Sequence, residues 1–283
     1  MDKNEKITLE VIQNKIHAGQ RISMLALYDY PFAALAQQAG IDSIIVGDSA
    51  AMVNYGYDST LQADMDMMIR HTQAVKRGAP NVFLIGDMPF MSYQPTIETA
   101  IRNAGRFIAE GHADAVKLEG GTTVLDTVHA LVKATIPVVG HLGLTPQSAA
   151  ITGKFKAQGR QAQSAVDLVN QARQLEQAGI CMLILECVPN TVSEAIVQKL
   201  SIPVISIGSG PACHGQVLVL FDILGIYPRF TPKFVRKYAQ LAPTITQAIQ
   251  AYIRDIAQGT YPAQEHTYAM KPGEEEEFRK MIE

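Results

Sequence analysis

Short apolar runs bounded by polar or glycine-containing breaks recur from one end of the sequence to the other, and most gaps between them carry apolar residues at helical spacing. The runs at 22–27, 43–47, 82–86, 115–119, 137–140, 182–185, 203–207 and 217–220 predict eight strands. Segments 31–38, 67–76, 96–110, 124–133, 163–177 and 192–199 predict helices between them. In 96–110 the residues Ile97, Ala100, Ile101, Ala104, Phe107 and Ile108 share one side, and Gly111 ends the helix. A leading helix over 8–18 has Thr8 as its cap and Leu9, Ile12 and Ile16 on one side. Residues 50–66 predict a substantial loop beyond the second strand, and 154–159 a polar loop. Closing helices are predicted over 234–257, followed from residue 262 by a solvated arm bearing Glu274 to Glu277.

Strands that read as unbroken apolar runs are covered on both faces. Eight of them alternating with helices predict a closed (β/α)8 TIM barrel, with 1–283 as a single domain uninterrupted by a linker or short repeat. An open dinucleotide-binding sheet would require a glycine-rich first turn. The first turn here is Tyr28-Asp-Tyr-Pro31, which has no glycine.

The fourth run breaks the apolar rule. In Ala115-Val-Lys-Leu-Glu119 the two charges are two residues apart, so they share a strand face, with Val116 and Leu118 on the other. Charges buried in this way must meet each other, an ion or a ligand. Polar residues also stand at other strand exits: Asp48, Asp87, His141 and Glu186. In a barrel these exits open on one end, where active sites are built. Adjacent strands are about 4.8 Å apart, so Asp48, Asp87 and Glu119 can converge on one cation. A set of carboxylates without Cys or His favours a hard ion, most simply Mg²⁺. The alternative for each is an N-cap of the following helix.

Lys117 would lie deeper on the same face as Glu119, placed to pair with a substrate carboxylate or a developing oxyanion. Glu186, two strands beyond the ion site, is the candidate base. His141 either orients that base and relays a proton or is a structural histidine. Gly208-Ser-Gly210 either admits a ligand closely or makes a tight turn. A carboxylate-held Mg²⁺ with a separate base suits chelation of a 2-oxo acid and formation of its enolate. Residue types do not specify the electrophile.

The overall balance narrows the partners. A net charge of −3 with dispersed basic residues gives no footprint for nucleic acid or an anionic membrane. Cys181, Cys187 and Cys213 form no paired motif and are read as small buried hydrophobes. No secretory signal is evident, and no run approaches the roughly 20 apolar residues of a membrane span, so a cytoplasmic setting is expected.

Taken in order, several segments closely resemble the ketopantoate hydroxymethyltransferase family. They include Tyr28-Asp-Tyr-Pro-Phe-Ala33, Val46-Gly-Asp-Ser49, Gly56-Tyr-Asp-Ser-Thr60, Val116-Lys-Leu-Glu-Gly-Gly121, Gly140-His-Leu-Gly-Leu-Thr-Pro-Gln-Ser148 and Leu185-Glu-Cys-Val-Pro189. The resemblance implies a barrel of the phosphoenolpyruvate/pyruvate type. It also implies transfer of a one-carbon unit from 5,10-methylenetetrahydrofolate, a co-substrate, to 3-methyl-2-oxobutanoate, giving 2-dehydropantoate in pantothenate biosynthesis. By matching position it implies Asp48, Asp87 and Glu119 as the Mg²⁺ site, Asp48, Ser49, Asp87 and Lys117 as substrate contacts, Glu186 as proton acceptor, and a homodecamer. Departures from the family pattern include Ala26, Ala50-Ala51, Gln62, His214 and Phe221, read as touching loops around the barrel mouth. The competing readings are a Mg²⁺-dependent 2-oxo acid lyase of the isocitrate lyase type and a non-catalytic 2-oxo acid-binding relative.

Overall fold

The structure is a computed structural model that describes residues 5–148 and 156–283. Thr8 accepts a hydrogen bond from the Val11 amide and starts α1 (Leu9–His17), which leads into β1 (Ile22–Ala26). Asp29 caps α2 (Tyr30–Ala39), whose Pro31 sits in the first turn and whose end is made by Gly40 in the left-handed region. After β2 (Ser43–Val46) comes a one-turn helix, α3 (Ala50–Val53), then a 3₁₀ turn (Thr60–Gln62). The segment expected to be loop is therefore partly helical, and its alanines Ala50 and Ala51 are fully buried.

Asp64 caps α4 (Met65–Gly78), two residues earlier than the apolar pattern suggested. The chain continues through β3 (Phe83–Asp87), α5 (Ile97–Ala109), β4 (Ala115–Glu119), α6 (Leu125–Lys133) and β5 (Val138–Gly143). Part of the predicted 154–159 loop lies outside the described residues, and 156–159 has no regular structure. Then follow α7 (Ala162–Ala178), β6 (Met182–Glu186), α8 (Asn190–Val197), β7 (Val204–Ile207), β8 (Gly215–Val219) and α9 (Leu220–Ile223). No helix separates β7 from β8, so the alternation breaks at this one joint. Of the closing helices only α10 (Leu241–Gln258) forms, because 232–239 packs as irregular chain against α9. The predicted arm ends in α11 (Glu274–Ile282), a fully solvated helix with an acidic first turn and basic last turn.

The strands pair in parallel and in sequence order, and β8 closes onto β1 to complete the barrel. Period-two alternation sorts their side chains into two apolar clusters. Val116 and Leu118 point outward to the helices, with Phe107 of α5 and Leu175 of α7. Met24, Ile45, Ile85, Ala115, Val139 and Ile184 point inward. Ile12 of α1 belongs to that inner cluster and has no exposed surface, so α1 seals the N-terminal end of the barrel. Lys6 pairs with Asp114 at 2.5 Å, and Lys15 pairs with Asp42; both contacts tie the leading segment beneath the strands.

The inward positions above this apolar layer are polar: Asp87, Lys117, Glu119, His141 and Glu186. They follow Ile85, Ala115, Val139 and Ile184 by even steps on the same face. Their end of the barrel is open. His214 lies at the other end, where its backbone pairs with Ile22 and Val204, so this departure is not at the mouth.

Candidate active site

A cavity of about 430 Å³ opens at the C-terminal ends of the strands, in the range of small-molecule sites. Asp48, Ser49, Asp87, Lys117, Glu119, His141 and Glu186 all line it. The Lys117 ammonium lies 3.0 Å from Asp87 Oδ2, 2.9 Å from its Oδ1 and 3.0 Å from Glu119 Oε1. Strand register causes this: Lys117 is level with Asp87 across β3 and β4, and Glu119 is one pleat above it. Burial opposes the charge on Lys117, but the fields of Asp87, Glu119 and Asp48 outweigh it and hold the ammonium firmly protonated.

The carboxylates divide by environment. Burial and the charge of Asp87 push the Asp48 carboxyl well up, and burial with the Glu119 charge pushes Asp87 up against the pull of Lys117. Burial acts in the same sense on Glu119, but Lys117 and His141 overcome it and bring this carboxyl down to about 2. The Asp48 backbone amide donates to Asp87 Oδ2 at 3.1 Å. Gly47 makes room for this turn, since a Cβ there would meet Ser49 Oγ at 2.8 Å. Ser49 Oγ shares a 2.8 Å hydrogen bond with the buried Tyr28 hydroxyl.

His141 is buried between two acids. Its Nδ1 is 3.5 Å from Glu119 Oε1 and its Nε2 is 3.2 Å from Glu186 Oε2, both off the line of a directed hydrogen bond. Burial and Lys117 oppose protonation of the ring, yet the two carboxylates raise it to about 9. None of the exit acids caps a helix. The helices after β2 and β6 have Ser49 and Pro189 at their N-caps, and the turn after β4 has Gly121.

Two residues not singled out from the sequence complete the network. The Gln147 side-chain amide donates to Asp48 Oδ2 and to the Met88 carbonyl, each at 2.9 Å, and its backbone amide donates to Glu119 Oε2 at 3.0 Å. The buried Tyr93 hydroxyl donates to Gln147 Oε1 at 2.8 Å and accepts from the Glu119 amide at 3.2 Å. Gln147 closes the 140–148 segment quoted above, but a neutral residue in a loop gives no charge signal. Cys187 departs from the expectation of a buried hydrophobe: it lines the cavity with φ 51°, and burial pushes its thiol up to about 11. Gly208 has φ 69° and admits Phe234, which would lie 2.4 Å from a Cβ at this position. Gly208 thus packs an aromatic wall of the cavity, while Gly210, with φ 87°, lies against Asn190.

Whether the acids suit a divalent ion depends on their free oxygens. Asp87 Oδ1 is buried with the Lys117 ammonium 2.9 Å away and no directed hydrogen bond, and Asp48 carries its hydrogen bond from Gln147 on Oδ2. Lys117 stands between Asp87 and Glu119, and among the described residues no three acidic, histidine or cysteine side chains could enclose an ion. This donor set fits Mg²⁺ held by one or two carboxylates, with water or substrate oxygens completing its shell.

Among solved structures, the barrel is similar to a phosphonopyruvate hydrolase complex with oxalate and Mg²⁺. The TM-score is 0.61 and the identity 13%, covering 100% of this chain and 97% of the other. It is also similar to 2,3-dimethylmalate lyase, described as a PEP mutase/isocitrate lyase superfamily member, at TM-score 0.58 and 14% identity over 97% and 94% of the two chains. These likenesses concern the fold alone. In sequence, the chain is 48% identical over 266 residues to 3-methyl-2-oxobutanoate hydroxymethyltransferase of Syntrophomonas wolfei subsp. wolfei, covering 94% of this chain and 96% of the relative. It is 51% identical over 257 residues to the Geobacillus kaustophilus protein of the same name, covering 91% and 92%. The profile of the family described as Ketopantoate hydroxymethyltransferase matches residues 6–264, and the chain belongs to that family.

Proposed function

We propose that this protein transfers a hydroxymethyl group from 5,10-methylenetetrahydrofolate to 3-methyl-2-oxobutanoate, giving 2-dehydropantoate for pantothenate biosynthesis. The observation that carries the reading is the placement, in one cavity, of a buried ammonium at Lys117 held by two acids and a separate, partly exposed carboxylate at Glu186. The names of the relatives that share half of its sequence supply the oxo acid and the group transferred.

The roles follow from chemistry. Lys117 offers its remaining donor capacity to the carboxylate or keto oxygen of the oxo acid, and Ser49 lies on the same rim. Glu186 takes the proton from C3 of the substrate, leaving an enolate whose oxygen charge faces the ammonium. His141, within 3.2 Å of Glu186, is a cation at neutral pH and steadies the base in its ionised form. The C3 carbanion then forms a bond to the one-carbon unit, which arrives at the oxidation level of formaldehyde. Water supplies the hydroxyl oxygen and tetrahydrofolate departs, so no net oxidation occurs. Asp48 and Asp87, with Glu119 behind them, are the residues that would hold Mg²⁺. When bound, that ion supplies Lewis-acid polarisation of the keto group.

The apolar stripe Ile245, Ile249, Tyr252, Ile253 and Ile256 on α10 is exposed. Its exposure supports assembly with further copies, for which a decamer is the expected form. Light scattering at assay concentration tests this, and a monomer would contradict it.

The enzymatic test is incubation with 3-methyl-2-oxobutanoate and Mg²⁺ in D₂O, followed by NMR of the C3 proton, and then addition of methylenetetrahydrofolate. Loss of the proton signal followed by 2-dehydropantoate formation is expected. Exchange without product would point to another electrophile, as in a lyase, and neither would leave a 2-oxo acid-binding protein.

A further inference from the structure

The cavity is larger than a five-carbon oxo acid requires, and its far side is built from different residues. Asp222, in α9 just beyond β8, lines the same cavity as Lys117. In the closed barrel β8 and β4 are four strands apart in either direction, so Asp222 stands across the mouth from the ammonium. It is only 8% exposed. Among the described residues its carboxylate has no hydrogen bond and no ion pair; the field of Lys237 reaches it without a contact.

No described side chain donates a hydrogen bond to it, although Tyr227 and Lys233 line the same cavity and Lys237 acts on it through its charge. The adjacent Phe221 turns away to stack on Tyr28, with ring centroids 6.3 Å apart and planes 7° from parallel. The same cavity is lined by Tyr227, Phe230 and Phe234, with Phe230 66% exposed. A largely buried residue whose carboxylate faces an open cavity without a hydrogen-bond partner is matched by a ligand that brings its own donors. Aromatic rings lining the same cavity favour a flat partner that stacks.

Given the folate-dependent reading above, on which this inference rests, one part of the co-substrate meets both requirements. A reduced pterin presents N3–H and a 2-amino group side by side on one edge of a planar ring, the arrangement that a carboxylate accepts in two parallel hydrogen bonds. We propose that Asp222 is the pterin anchor, accepting N3–H and the 2-amino group while Phe230 and Phe234 flank the ring. Lys233, which also lines the cavity, is then available to the acidic tail of the folate.

The test compares tetrahydrofolate with its 2-desamino analogue, titrated calorimetrically into wild-type protein and Asp222→Asn with Mg²⁺ and 3-methyl-2-oxobutanoate present. Wild type is expected to bind the analogue about ten- to hundredfold more weakly, the value of a hydrogen bond to a charged acceptor. Asp222→Asn is expected to raise the KM for methylenetetrahydrofolate by a similar factor and to discriminate less than about threefold between the two pterins. If wild type binds both pterins alike, the assignment is overturned whether or not the variant folds. If Asp222→Asn discriminates as strongly as wild type, it is overturned too. Failure of wild type to bind tetrahydrofolate and to form product would instead overturn the transferase reading, and this inference with it.

Discussion

The side-chain amide of Gln147 reaches Asp48 Oδ2 at 2.9 Å, joining residues 99 positions apart. That contact decides which oxygen of Asp48 stays free, while the Gln147 backbone occupies Glu119 Oε2. Replacing Gln147 by Leu leaves the Tyr93 hydroxyl and the Met88 carbonyl short of partners. The expected result is a loss of about 1–3 kcal/mol in denaturant unfolding and a fall of about tenfold or more in C3–H exchange. Exchange at the wild-type rate would show that Asp48 needs no positioning.

Glu186→Gln keeps the shape of the proposed base and removes its proton affinity. C3 deuterium exchange is expected to slow by about 10²- to 10⁴-fold, with oxo acid affinity retained. A wild-type exchange rate in this variant would assign the base elsewhere.

Lys117→Met strands two buried carboxylates, Asp87 and Glu119, without their shared cation. A loss on the order of 3–5 kcal/mol is expected, read from the urea midpoint in metal-free buffer. A change below about 1 kcal/mol would mean that the acids find other partners.

His141, flanked by Glu119 and Glu186, is expected to titrate near pH 9 in metal-free protein. Its ring proton shift, followed by NMR between pH 5 and 10 with the other histidines assigned by substitution, checks this. A midpoint below pH 6.5 would mean that burial outweighs the two carboxylates.

Burial raises the Asp222 carboxyl from 3.8 to about 6 against the opposing field of Lys237. The protonated group therefore favours the fold: its contribution is complete below pH 3.8 and is lost as pH rises through 6. The full shift corresponds to roughly 3 kcal/mol, and about 1–2 kcal/mol is expected because the cavity is open to solvent. Asp222→Asn, which does not titrate, should be more stable than wild type at pH 8 by several degrees in Tm and equal to it near pH 4. Equal melting at both values would show that the ionised carboxylate is well solvated.

What could be read from the sequence was what local periodicity controls. Lys117 and Glu119 had to share a face because a strand alternates, and that face had to be the mouth once eight strands closed. Register between distant strands follows from closure, so the insertion of Lys117 between Asp87 and Glu119 was not legible. Gln147 and Tyr93 are uncharged loop or loop-flanking residues whose partners are set by folding. Asp222 fell in the unassigned stretch after the eighth apolar run, and the one-turn helix α9 that holds it is too short to leave a periodic pattern. The missing helix between β7 and β8 had no sequence signature beyond a short gap.

Ile12 stoppers the barrel from below, so the chamber is a blind well with one doorway. In the proposed binding mode a small acid seated against Lys117 would occupy the bottom, and a bulkier reactant at the rim would stand over it. Traffic would then obey a queue, with the acid entering first and its product leaving last. Steady-state kinetics should show compulsory order, with a rim-bound pterin slowing release of whatever lies beneath.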